Sequence, residues 1–159
     1  MNEYGTLHES DGRYVIKFER AFSQNISEVF RILTTPDDFA QWYPFATGEM
    51  DLKPGGEIGF DDGEGTTYKG VITEIEEPVL FGFNEEGDLI RISLEQKENG
   101  SQMTFIHTFD DSAWAVNTAA GWHRCLDVFD QIINGHPVEW KENATELRAY
   151  YQKAFNKNE

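Results

Sequence analysis

The residue whose type and setting most readily suggest chemistry is His107. It stands in the run SQMTFIHTF, where Met103, Phe105, His107 and Phe109 alternate with Gln102, Thr104, Ile106 and Thr108. Strict alternation puts that imidazole on the apolar face of a strand. There it could orient a ligand or take a proton as a general base, since imidazole exchanges protons near neutral pH. A core histidine bonded to a carbonyl or a tyrosine hydroxyl is the plainer account. Tyr68 and Tyr43 are the phenols that could serve as its acid partner. The lone Cys125 lies one helical turn from Trp122 and reads as a small buried hydrophobe, not a nucleophile. His8, His107, His123 and His136 have no recognisable metal spacing, so neither a metal nor a cofactor is expected. His123, next to Trp122, is expected to face outward or sideways. The glycines near serines lack the spacing of a nucleophile elbow. The acidic run DDGEGT has neither phosphate-loop nor calcium-loop spacing and reads as a solvated hairpin tip.

These side chains need elements to hold them. The longest stretch with helical periodicity covers residues 110–133, where Trp122, Leu126, Phe129 and Ile133 recur along one stripe. Asp110, Asp111 and Ser112 are its candidate N-caps, and Trp114 begins a related stripe. Ahead of it, a strand is expected at 12–22. Two short helices follow, one opened by Asn25 and carrying Ile26, Val29, Phe30 and Leu33. The other opens at Pro36, carries Phe39, Trp42 and Tyr43, and is stopped by Pro44. Five further strands are expected at 57–60, 68–75, 79–83, 88–96 and 101–109. Their short connections, among them Asn99-Gly100, favour antiparallel pairing. A last amphipathic segment at 144–155 offers Leu147, Tyr150, Tyr151 and Phe155 as anchors. Residues 12–159 thus read as one α+β domain preceded by a frayed polar segment at 1–11.

Composition narrows the function. With 29 acidic against 13 basic residues, the formal charge is −16. Such a chain is not expected to bind nucleic acid or to adhere to anionic lipid. No apolar run approaches membrane-spanning length. One cysteine cannot form an internal disulfide, and MNEYGTLHES lacks the pattern of a signal peptide, so a cytoplasmic protein is expected.

The segments FERAFSQNISEVFRILTTPDDFAQWY, LKPGGEI and GWHRCLDVF, in that order, give a resemblance covering roughly residues 12–135. The chain resembles the helix-grip superfamily of START, Bet v 1-like and polyketide cyclase domains (SRPBCC), and within it the Aha1-like group, activator of Hsp90 ATPase homologue 1-like. The resemblance implies a curved antiparallel sheet gripping a long C-terminal helix with an apolar cavity between them. On that account the expected lining is Trp42, Tyr43 and Phe45 at the mouth, and Phe60, Tyr68, Ile72, Phe81, Phe83, Ile90, Ile92, Met103, Phe105, His107 and Phe109 from strands. Trp114, Asn117, Thr118, Gly121, Trp122 and Cys125 would come from the helix. The expected function is non-catalytic binding of a small, largely apolar molecule. One alternative is a protein-interaction or co-chaperone-like module acting on a chaperone ATPase. Another is a cyclase-like or hydrolytic enzyme with His107 and Tyr68 as its catalytic groups. The sequence leaves the oligomeric state open, a homodimer included.

Overall fold

The computed structural model describes residues 3–156. Eight antiparallel strands form one sheet: β1 (Thr6–Ser10), β2 (Arg13–Phe22), β3 (Ala46–Met50), β4 (Glu57–Asp61), β5 (Thr67–Glu76), β6 (Leu80–Glu85), β7 (Asp88–Lys97) and β8 (Gly100–Phe109). Their spatial order is β1-β2-β8-β7-β6-β5-β4-β3. The helices α1 (Ile26–Thr34) and α2 (Pro36–Trp42) leave the sheet after β2. The long helix α3 (Ala115–Ile133) follows β8, and α4 (Ala144–Asn156) packs against it. This is the helix-grip arrangement. Among the described residues, no helix is long and apolar enough to cross a membrane.

The local signals work as their chemistry requires. Asn25 accepts from the Glu28 amide at 2.9 Å and caps α1. Pro36 opens α2, and Tyr43 closes it in an extended conformation ahead of Pro44. Along β8, Met103, Phe105, His107 and Phe109 are buried while Gln102, Thr104, Ile106 and Thr108 are half-exposed. That inner face meets α3, whose Trp122 is only 6% exposed and lies 4.5 Å from Phe105, ring centre to ring centre. Farther along, Phe129 meets Phe22 at 5.4 Å and Trp42 of α2 at 5.7 Å.

Several expectations need correction. The sheet has two strands more than the six expected. Thr6–Ser10, expected to fray, pairs with β2 as an edge strand. Its hairpin turn is Asp11-Gly12, both at positive φ, so a turn signal was present beside a strand too polar to read as one. Residues 1–2 of the segment expected to fray lie outside the described residues. β3 gives little signal because ATGEM is short and its alternation, Ala46, Gly48 and Met50 against Thr47 and Glu49, contains no β-branched or aromatic residue on the inner face. The helix expected from residue 110 begins at Ala115, after a 3-10 turn over Ser112–Trp114 capped by the Asp111 carboxylate on the Ala113 amide. Three residues per turn takes Trp114 out of phase with the α3 stripe, and it is 61% exposed. On α4, Leu147, Tyr151 and Phe155 are buried, but Tyr150 is 41% exposed and stacks on Tyr4 at 4.1 Å.

Candidate functional site

The space between sheet and helix is largely filled. Phe60, Phe81, Phe83, Phe105, Ile92, Met103 and Trp42 are fully buried, and Ile72 and Ile90 nearly so. Their rings interlock: Phe39 lies 6.0 Å from Phe83, Phe60 6.2 Å from Phe83, and Phe81 5.6 Å from Phe83. These residues, expected to line a cavity, are core, because large rings on opposed curved faces fill the gap they could have enclosed. Tyr68 is half-buried and stacks on Phe60.

A half-open pocket of about 330 Å³ remains at the mouth. Of the expected lining, Tyr43, Phe45, His107, Asn117, Thr118, Gly121, Trp122 and Cys125 meet there. Pro44, Glu85, Arg124 and Trp140 line it too and were not expected. The signal for Glu85 was the β6–β7 turn. Glu86 and Gly87 both have positive φ and form a two-residue hairpin that sets Glu85 opposite Asp88 at the sheet's end. Trp140 had no signal, for it follows α3 in an irregular segment and comes back over Arg124 at 5.7 Å. A second depression, lined by Glu86, Asp88, Phe109, Asp110, Asp111 and Trp114, shares Glu85 and Thr118 with the first.

Two polar chains run through this mouth. In the first, Trp122 Nε1–H donates to His107 Nδ1 at 2.6 Å, and His107 Nε2 faces Asp88 Oδ2 at 2.9 Å. The indole can only donate, so Nδ1 is the acceptor and the ring's proton sits on Nε2, toward the carboxylate. Both nitrogens are therefore engaged, and His107 pins helix to sheet. It is not aimed at the pocket as a free base.

In the second chain, the Tyr43 hydroxyl donates to the Glu85 carboxylate, 2.6 Å from Oε2. Burial, and then the Glu85 charge, hold the Tyr43 hydroxyl well above the usual phenol range. Tyr68 is shifted the same way, first by burial and then by Glu85. Burial raises the Glu85 carboxyl, and the Tyr43 hydrogen bond partly offsets that. A carboxyl raised on folding holds its proton more tightly in the native state. Its destabilising contribution is absent in acid and grows as pH rises through the carboxylate range. Glu85→Gln should therefore match the parent in acid and exceed it in stability near neutrality, with the gap opening across that range. Urea unfolding at several pH values reads this directly, and a gap independent of pH would be the contrary result. Burial pushes the Cys125 thiol up to about 12, which suits a small hydrophobe and not a nucleophile.

His123, expected outside or sideways, is 3% exposed. The N-terminal segment and α4 cover it: Tyr4 lies 4.9 Å away, and the Tyr151 hydroxyl is 2.8 Å from Nδ1.

A helix-grip domain with a filled interior and a small, partly polar mouth is thus the class that fold and site define. The sequence model of the family described as activator of Hsp90 ATPase homolog 1-like protein matches residues 24–134, and this chain belongs to that family. No curated protein matches it in sequence. Among solved structures, a conserved protein of unknown function from Enterococcus faecalis is similar with a TM-score of 0.85 at 19% identity, over 98% of this chain and 92% of that one. CalU16 from Micromonospora echinospora is similar with a TM-score of 0.75 at 18% identity, over 98% and 96%. An uncharacterized protein from Rhizobium leguminosarum gives 0.65 at 18%, over 83% and 99%. At these identities the likeness concerns the fold alone.

Proposed function

We propose that this chain is a non-catalytic interaction module that acts on a chaperone ATPase of the Hsp90 class and seats an apolar side chain of its partner in the mouth pocket. The observation that carries this is the pairing of a filled interior with exposed aromatic rings at the mouth. Phe45 is 44% and Trp114 61% exposed, beside Glu85, Glu86, Asp88, Asp110 and Asp111. Apolar groups rimmed by charge have the anatomy of a contact surface, and buried aromatic anchors dominate binding energy. The acidic rim suits a basic partner surface and would act on encounter rate and selectivity more than on affinity. The family description supports the choice of ATPase.

Steady-state ATP hydrolysis by a purified Hsp90-class chaperone, with and without this protein, is the test. Wild type should change the rate. Phe45→Ala combined with Trp114→Ala should lose that effect while lowering the melting temperature only slightly, since Trp114 is mostly in water and Phe45 is 44% exposed. No effect of wild type, or an equal effect of the double variant, would overturn the proposal.

A second reading, binding of a small apolar molecule, is favoured by the pocket's volume. About 330 Å³ falls at the low end of the ~300–1,000 Å³ typical of ligand sites. Gly121 offers the test. It lines this pocket, and a Cβ added there meets nothing within 4 Å. Gly121→Leu should leave the fold intact, with helix propensity favouring it by up to about 1 kcal/mol, while filling the pocket. Small aromatic compounds should raise the melting temperature of wild type and not of Gly121→Leu. An equal shift in both would place the compounds elsewhere.

A further inference from the structure

We propose that His123, Asp127 and Glu3 form a binding site for a divalent transition-metal ion of the zinc class, away from the mouth. Their donor atoms all lie within 4.8 Å of one another. His123 and Asp127 are four residues apart on α3, one turn of a rigid helix, so both side chains leave the same face. Glu3 comes from the segment before β1. That segment is anchored where the Gly5 amide donates to the Tyr151 hydroxyl at 2.9 Å. Gly5 is needed there, for a Cβ would meet the Phe18 ring at 2.7 Å.

The distance between the two helical donors is the telling feature. His123 Nε2 and Asp127 Oδ2 are 3.6 Å apart. That is beyond a good hydrogen bond. Two ligands each about 2.1 Å from one tetrahedral ion would stand about 3.4 Å apart. The imidazole is 3% exposed, with its other nitrogen, Nδ1, 2.8 Å from the Tyr151 oxygen. A metal on Nε2 would require the ring proton on Nδ1, toward the Tyr151 oxygen, which also accepts from the Gly5 amide. This is the arrangement by which an outer hydrogen bond sets the tautomer of a ligating histidine.

Arg20 and Lys141 are the opposing charges that line the groove, and Arg20 is the one paired with a proposed ligand. Its Nη1 lies 3.0 Å from Asp127 Oδ1, the other oxygen of that carboxylate, and so orients Oδ2 toward the imidazole. The groove in front of the cluster has a volume of about 610 Å³ and is also lined by Glu19, Asp130 and Glu146. These acids offset Arg20 and Lys141, and the groove leaves a fourth coordination position open. One imidazole and two carboxylates suit zinc or cobalt better than calcium or magnesium, which take oxygen donors.

The test is titration of the metal-stripped full chain with Co²⁺, read by visible absorption, and with Zn²⁺, read by melting temperature. One equivalent of Co²⁺ should give the intense bands of a four- or five-coordinate ion, and Zn²⁺ should raise the melting temperature. Glu3→Gln is the decisive variant because Glu3 is exposed, so the metal-free fold should melt as wild type does. Its affinity should fall by at least about tenfold, the scale seen on losing even an outer-shell partner. Asp127→Asn should behave likewise, and His123→Gln should abolish the cobalt bands. Cobalt bands no stronger than those of the aqua ion, or wild-type affinity in Glu3→Gln, would overturn the proposal.

Discussion

Phe105→Ala is expected to destabilise the protein by about 3–5 kcal/mol, a large part of the ~5–15 kcal/mol that holds a domain folded. Phe105 is fully buried near the middle of the sheet, with Phe18 and Ile92 as its cross-strand partners. Its ring meets the Phe18 ring edge-on at 6.3 Å and lies under Trp122 at 4.5 Å. Truncation would leave a void that the sheet cannot close, because β8 is hydrogen-bonded along both edges. Trp122 cannot simply drop into it either, since its indole is held by His107. Urea unfolding should show a lower midpoint with an unchanged slope. A loss below about 1 kcal/mol would mean that helix and sheet repack freely, contrary to the interlocked contacts described here.

His107→Leu should cost about 2–3 kcal/mol although it exchanges one buried side chain for another of similar size. The cost lies in what is left behind. The Trp122 N–H would be buried without an acceptor, and Asp88 would lose its partner at the end of β7. Trp122→Phe in the same chain should cost less than the sum of the two single changes, because an orphaned donor is worse than no donor. The coupling between the positions should be at least about 1 kcal/mol. Simple additivity would show that the bond contributes nothing and would reopen a catalytic part for His107. As the structure stands, both ring nitrogens of His107 are engaged, one by Trp122 and one by Asp88.

Much of the fold could be read directly from the chain. The alternation in β8, the stripe through Trp122 and Phe129, the cap at Asn25 and the stop at Pro44 each correspond to an observed feature. Such signals are local, since they depend on the 2.0 or 3.6 residue period or on one side chain meeting a nearby amide. β1 was less legible because an edge strand needs no apolar face, and only its Asp11-Gly12 turn announced it. Trp114 misled because a single 3-10 turn, invisible to a periodicity count, rotates it into solvent.

The sequence by itself determined which residues of β8 and of the stripe through Trp122, Leu126, Phe129 and Ile133 face inward and, through the order of its motifs, that a sheet would close around the helix carrying Trp122. Periodicity states on which side a side chain lies, but not how far away the opposite wall stands. Only the tertiary structure decided that Phe60, Phe81, Phe83 and Phe105 fill the interior and that a pocket remains at the mouth. It alone brought Glu85 to Tyr43, Asp88 to His107, and Glu3 to a helix some 120 positions along the chain. Those meetings depend on the curvature of the sheet and on chain ends packing across it, and neither is encoded in any short run of residues.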